Sequence, residues 1–259
     1  MSSGKGIEGL KKLSLGLTLV LTMGVFTPVN ALSDGELKLR TDLSENINKR
    51  VQNFNISYSG STGNISEVVT NAIRENPKGT DDYLVASINE VRVKIKYNNN
   101  KAEINFDIEY VSTHEEESYV NEKVKEIVSK LITPQMDDIT KIKVLNKWVI
   151  ENVKYDYTLS RHNAYNALVD GNTVCRGYAL LMDKLLEEAN ISSIVARGNI
   201  KGEPHAWNIV KLGDKWLHID TTNNLQSKNK YFLRSDSDMK EYGFTWDPNE
   251  IDKLKTNYK

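Results

Sequence analysis

Hydrophobic positions along the chain alternate between two periods. Leu39, Leu43, Ile47 and Val51 recur every fourth residue and predict an amphipathic helix over 37–54. "ISYSGSTG" (56–63) reads as a short strand running into a turn. A second helix over 65–75 carries Ile65, Val68, Val69, Ala72 and Ile73 on one side and stops at Asn76-Pro77. The period then changes to two. Val91, Val93, Ile95 and Tyr97 alternate with polar residues, "NNN" (98–100) turns the chain, and Ile104, Phe106, Ile108 and Tyr110 alternate again. This is a hairpin with one apolar and one polar face, so its sheet covers a core on one side only. Helical spacing returns from 117. Val120, Val124, Ile127, Val128 and Leu131 form one stripe. Ile142, Leu145, Trp148, Val149 and Val153 form another, behind a cap at Asp137 or Asp138. A short helical stretch follows at 163–169. A Leu-rich helix then starts near Cys175, with Asn172 or Thr173 as its cap. Strand patterns at 192–200, 204–212 and 215–222 follow, the last two joined by a tight Gly213-Asp214 turn.

These elements give an α+β chain in three parts: a leader at 1–31, an N-terminal α+β region at 32–115, and a second α+β region at 116–259 that carries the chemistry. The leader rests on Lys5, Lys11 and Lys12 ahead of the apolar run 13–26, with Pro28 and the small-residue ending "VNA" (29–31) behind it. We expect export with cleavage after Ala31; the alternative is a retained N-terminal anchor. The run is short for a bilayer span. Net charge is −1 for the whole chain, and about −3 once Lys5, Lys11, Lys12 and Glu8 are removed. No basic stripe interleaves with aromatics, which argues against nucleic acid as a partner.

Export makes the cysteine count informative. Cys175 is the only cysteine in 259 residues, so it has no intrachain disulfide partner. It is an inert core thiol, a link to another chain, or a reactive thiol. Its place at a helix start favours the third, because unpaired N–H groups and the positive end of the helix dipole stabilise a thiolate. The same N–H groups can hold an oxyanion. Of the four histidines, His205 and His218 lie on the two strands of the last hairpin. Counting outward from its turn puts His205 roughly opposite Asp220, within cross-strand reach. Asp220 can then fix the tautomer of His205 and stabilise its charged form, the third role in a triad. His218 shares a face with Asp220, but two residues apart on one strand seldom meet in the alignment a base needs. His162, in a polar stretch, is read as solvated or lining the mouth of a cleft, and His114, ahead of three glutamates, as a cap or solvent-facing. One Cys with scattered His offers no zinc spacing, so no metal and no cofactor are expected. Trp148, Trp207 and Trp216 are read as core.

"TVCRGYALLMDKLLEEANI" followed by "HAWNIVKLGDKWLHIDTT" resembles the transglutaminase-like superfamily, in particular its bacterial secreted members with a papain-like core. The matching residues are Cys175 with Gly177-Tyr178, His205-Ala206-Trp207-Asn208, Trp216, and Asp220-Thr221. "VKYDY" upstream and "YFLRSDSDM" downstream extend the likeness over roughly 120–247, about half the chain. The resemblance implies a helix-start Cys packed on an antiparallel sheet that carries His and Asp. It also implies a Cys175–His205–Asp220 triad that cleaves a peptide or carboxamide bond through a thioester, which water or an amine then resolves. Tyr155 is the candidate side-chain oxyanion donor. The calcium dependence of animal transglutaminases does not carry over, because no calcium-site pattern is present. The implied partner is a protein or peptide, such as a cell-wall peptide or surface protein, met outside the cell. Two other classes stay open: a non-catalytic surface module reusing the fold, and a dimer linked through Cys175.

Overall fold

The computed structural model describes residues 9–16, 32–74, 80–227 and 229–256. The chain is α+β and forms two units that divide between Tyr110 and Val111, a few residues ahead of the expected boundary at 115/116.

The first unit contains strand β1 (Gly9–Gly16), helix α1 (Asp34–Asn48), β2 (Asn53–Ser59), α2 (Ile65–Arg74), α3 (Asp82–Ala86) and the hairpin β3 (Ile88–Tyr97) and β4 (Lys101–Tyr110). Its antiparallel sheet runs β1-β3-β4-β2. The hairpin register pairs Val93 with Phe106 and Ile95 with Ile104. The alternation seen in the sequence therefore becomes one buried face, closed by Leu39, Leu43 and Ile47 of α1 and by Ile65, Val69 and Ala72 of α2. On the solvent face Arg92 donates to Asp107 at 2.9 Å. Such exposed pairs contribute little, whereas each buried branched aliphatic contributes about 1.5–3 kcal/mol, so the apolar face decides the register.

Helix α1 starts at Asp34 and ends at Asn48, earlier at both ends than the periodicity predicts. Ser33 and Glu36 close a capping box at its start, and Arg50 turns the chain at φ 54° after its end. Strand β1 lies inside the expected leader and pairs with the edge of β3, from Gly9↔Tyr97 to Gly16↔Glu90. The edge of β3 offers unpaired backbone groups that an extended segment satisfies. The rest of the apolar run, residues 17–26, and the expected cleavage point after Ala31 lie outside the described residues. No described helix is long and apolar enough to cross a membrane.

The second unit contains α4 (His114–Leu131), α5 (Asp138–Asn152), β5 (Lys154–Tyr155), α6 (Ala164–Val169), β6 (Asn172–Thr173), α7 (Cys175–Glu188), β7 (Ser193–Ile200), β8 (Glu203–Leu212), β9 (Lys215–Ile219), α8 (Thr221–Ser227), α9 (Asp236–Glu241), β10 (Phe244–Thr245) and α10 (Pro248–Lys255). Asp137, not Asp138, caps α5, its side chain accepting the Thr140 N–H at 2.7 Å. The sheet runs β10-β7-β8-β9 and is antiparallel throughout. Leu180, Leu181, Leu185 and Leu186 of α7 are buried, as are Val120 and Val124 of α4 and Ile142, Leu145 and Val149 of α5. One face of the sheet lies against α7: Asn208 Nδ2 donates to the Ala179 carbonyl at 3.0 Å. The other packs Trp207 and Ile209 among Met239, Phe244, Trp246, Ile251 and Leu254. Covered on both faces, β7 and β8 hold their side chains in fixed directions. Trp148 and Trp216, expected in the core, are each only partly buried.

Two expectations are corrected. The third strand ends at Ile219, not 222, because Asp220 starts α8: its carboxylate accepts the Asn223 N–H at 2.9 Å and its carbonyl the Asn224 N–H at 3.0 Å. Neither Asn172 nor Thr173 caps α7. The N-cap is Val174, which makes no side-chain cap hydrogen bond.

Candidate active site

The start of α7 is held by chain on both sides of it. Residues 154–155 pair in parallel with 172–173, Tyr155 against Thr173. Beyond Tyr155 the chain wraps around the buried Asp156. That carboxylate accepts from the Thr158 N–H (3.0 Å) and hydroxyl (2.6 Å), the Ser160 N–H (2.9 Å) and the Arg161 N–H (3.0 Å). The Thr158 hydroxyl leads the effects that hold Asp156 well below the usual carboxylate range. The loop so fixed presents the Arg161 carbonyl to the Val174 N–H (2.9 Å) and the Thr173 hydroxyl (2.9 Å). Thr173 is thus occupied by the loop, which explains why it does not cap the helix. With no side chain on the first helical N–H groups, the positive end of α7 stays directed at the half-buried Cys175.

The sulfur meets the start of β8. His205 and the Ala206 N–H are the groups that draw the Cys175 thiol down. His205 Nε2 donates to Asp220 Oδ2 at 2.8 Å, which leaves Nδ1 as the ring nitrogen for sulfur. Asp220 is fully buried. The Cα register continues Asn208↔Ile219 and Ile209↔His218, so position 220 comes opposite Trp207 and is diagonal to His205. The expectation of a direct cross-strand pair is therefore off by two residues. The contact still forms because the chain leaves β9 at Ile219 and swings the carboxylate toward the ring. Asn223 secures it through an Nδ2–H to Oδ2 bond of 2.5 Å.

These contacts set the charges. Burial alone pushes the Cys175 thiol up. The hydrogen bond and positive charge of His205, with the Ala206 N–H, outweigh it, and the net direction is down. Burial alone pushes His205 down. The Asp220 carboxylate outweighs this, with help from Cys175, and raises the ring to about 10. The two shifts run in the directions that favour a thiolate–imidazolium pair over a neutral thiol and imidazole. Tyr155 is half-buried, and its phenol is pushed up first by burial and next by negative charge on Cys175. It therefore stays protonated, a hydroxyl donor in the neighbourhood of the sulfur.

His218 has a different task. Trp207 Nε1–H donates to His218 Nδ1 at 2.8 Å, and His218 Nε2–H donates to Asp236 Oδ1 at 2.9 Å. Both ring nitrogens are committed, and burial pushes the ring's pKa down, so His218 is neutral and fully buried. It braces the indole on which His205 stacks, with centroids 6.0 Å apart and planes 14° apart. His162 is half-buried and His114, the first residue of α4, is exposed. No group of three or more His, Cys, Asp or Glu among the described residues is arranged to hold a metal ion.

Asn223 and Asp236 were not singled out from the sequence. Asn223 carried a usable signal, because an Asp followed three residues later by an amide at a helix start is a capping arrangement. Asp236 carried none: its partner lies 18 residues earlier, across a segment with no periodic pattern.

Residues 125–221 match the model of the transglutaminase-like superfamily. Among curated proteins, the chain is similar to kyphoscoliosis peptidase of Mus musculus, 25% identical over 121 residues, which are 40% of this chain and 18% of that protein. The Homo sapiens protein of the same name is 25% identical over 115 residues, 38% of this chain and 17% of that one. The chain thus spans less than a fifth of these relatives. Among solved structures, one described as a TGase has a TM-score of 0.41 at 14% identity, covering 70% of this chain and 53% of that one.

Proposed function

From a chain whose residues 125–221 are a transglutaminase-like domain, we propose a cysteine-dependent acyl-transfer enzyme that cleaves peptide or carboxamide bonds outside the cell. The supporting observation is the 2.8 Å bond from His205 to the buried Asp220, with His205 the group that draws the Cys175 thiol down. The thiolate attacks the carbonyl carbon and forms a C–S bond, and the carbonyl oxygen becomes an oxyanion. Uncapped N–H groups at the start of α7 and the Tyr155 hydroxyl are the donors for it. The His205 imidazolium gives its Nδ1 proton to the departing nitrogen as the C–N bond breaks, leaving a thioester and a neutral imidazole. His205 then takes a proton from the incoming nucleophile, and expulsion of the thiolate restores the starting pair. Asp220 stays ionised and steadies the ring in both steps.

Water is the second nucleophile in this reading, in line with the word peptidase in the names of the curated relatives. Export rests on the basic-then-apolar segment 1–31. It places the substrate among cell-wall peptides or surface proteins.

The test is mass spectrometry of candidate peptides incubated with the protein, with and without a primary amine. Products gaining only water support hydrolysis, and products gaining the amine reassign the enzyme as a transferase. Cys175→Ala is expected to reduce either product to background. Full product formation by Cys175→Ala would refute the nucleophile.

A further inference from the structure

The residue after the proposed nucleophile is a cation with no carboxylate partner among the described residues. Arg176 is half-buried in the first turn of α7. Its side chain has no hydrogen bond or ion pair among the described residues. Two other arginines of this unit contrast with it. Arg161 holds Asp170 at 3.2 Å and Arg197 holds Glu250 at 2.5 Å. Leaving a guanidinium partly desolvated and unpaired costs free energy, and an incoming anion would relieve that cost.

The topology says where that anion would lie. On β8, Asn208 faces α7 and bonds Ala179, and Ala206, two residues before it, faces the same way, its N–H among the groups that lower the Cys175 thiol. Arg197 of β7 is the cross-strand partner of Ala206, so it lies on the α7 side of the sheet beside the helix start. Its charge is balanced by Glu250. Arg176 and Arg197 repel each other, and Arg176 is attracted to Cys175. The first turn of α7 therefore places beside the sulfur a guanidinium that no carboxylate among the described residues balances.

We propose that Arg176 is a substrate-binding residue that pairs with a carboxylate carried by the acyl donor close to the attacked carbonyl. The inference rests on the acyl-transfer reading above and narrows its substrate to acidic peptides. The carboxylate is either an acidic side chain or a free C-terminus, and a guanidinium suits both because it bonds carboxylate in a two-pronged fashion.

The test uses two alkylating agents of similar size on the full chain, anionic iodoacetate and neutral iodoacetamide. The readout is the ratio of their rate constants at Cys175. The ratio cancels any change in the amount of thiolate. Free cysteine measured alongside supplies the reference. The wild type is expected to favour iodoacetate at least tenfold over that reference, and the preference is expected to fall as salt is added. Arg176→Gln is expected to lower the ratio about tenfold, equivalent to about 1.4 kcal/mol. Arg176→Lys should keep most of the preference, because the charge remains. A wild-type ratio equal to that of free cysteine, or the same ratio in wild type and Arg176→Gln, overturns the proposal and leaves the acyl-transfer reading standing. No reaction with either agent overturns both. Acyl-donor peptides pairing internal Glu with Gln, and a free C-terminus with its amide, then distinguish the two sources of carboxylate.

Discussion

Replacing His205 with alanine is expected to lower kcat for any amide substrate of the wild type by about 10³- to 10⁴-fold. KM should move far less, because the ring acts on the reacting atoms. Three effects are lost together. The sulfur loses the imidazolium that outweighs the cost of burying its charge, so its pKa rises. The leaving nitrogen loses its proton donor. Asp220, fully buried and bonded to the ring at 2.8 Å, is left with Asn223 as its side-chain donor. Steady-state kinetics with matched thermal melts check this. A loss of less than tenfold in a folded variant would mean that another group serves as base. His218 is poorly placed for that, since Trp207 and Asp236 occupy both its nitrogens.

Gly177→Ala is expected to destabilise the fold by about 2 kcal/mol and to slow alkylation of Cys175. An added Cβ would stand 1.9 Å from Thr173 Oγ1, 2.8 Å from Thr173 Cβ and 2.7 Å from the Asn163 carbonyl. Overpacking of this kind costs about 1–3 kcal/mol. Alanine's better helix propensity returns about 1 kcal/mol, so the clash wins. Thr173 is fully buried and donates to the Arg161 carbonyl, which also accepts the Val174 N–H. Pushing it aside loosens the loop that locates the nucleophile. Gly63 is the control, because an added Cβ there finds its nearest atom at 4.0 Å. Gly63→Ala should stay within about 0.5 kcal/mol of wild type in denaturant melts. Equal stability of the two variants would show that the space around Gly177 adapts.

The parts of this molecule that were legible in the sequence are those governed by local periodicity. Val93 opposite Phe106 and Ile95 opposite Ile104 follow from alternation around "NNN", and the Leu pairs of α7 follow from helical spacing. Cys175, His205 and Asp220 could be named because a helix start and a tight hairpin restrict where their side chains go. The details that were not legible depend on long-range partners. Asn172 and Thr173 both look like caps for α7 in the sequence, because nothing local reveals that the Arg161 carbonyl takes the Thr173 hydroxyl. The end of β9 was placed too late because Asp220 is drawn into capping α8. The brace from Asp236 through His218 to Trp207 joins three elements whose proximity only the fold establishes.

The most direct measurement of the central claim, a thiolate at Cys175 held by protonated His205, is the pH dependence of iodoacetamide alkylation in wild type and His205→Ala. A lowered thiol pKa means the thiolate forms at lower pH, so the wild-type rate should have its midpoint below the ~8.5 of a free thiol. In His205→Ala the midpoint should move up to or beyond that of the free thiol. A wild-type midpoint at or above ~8.5, unchanged by the substitution, would contradict the account.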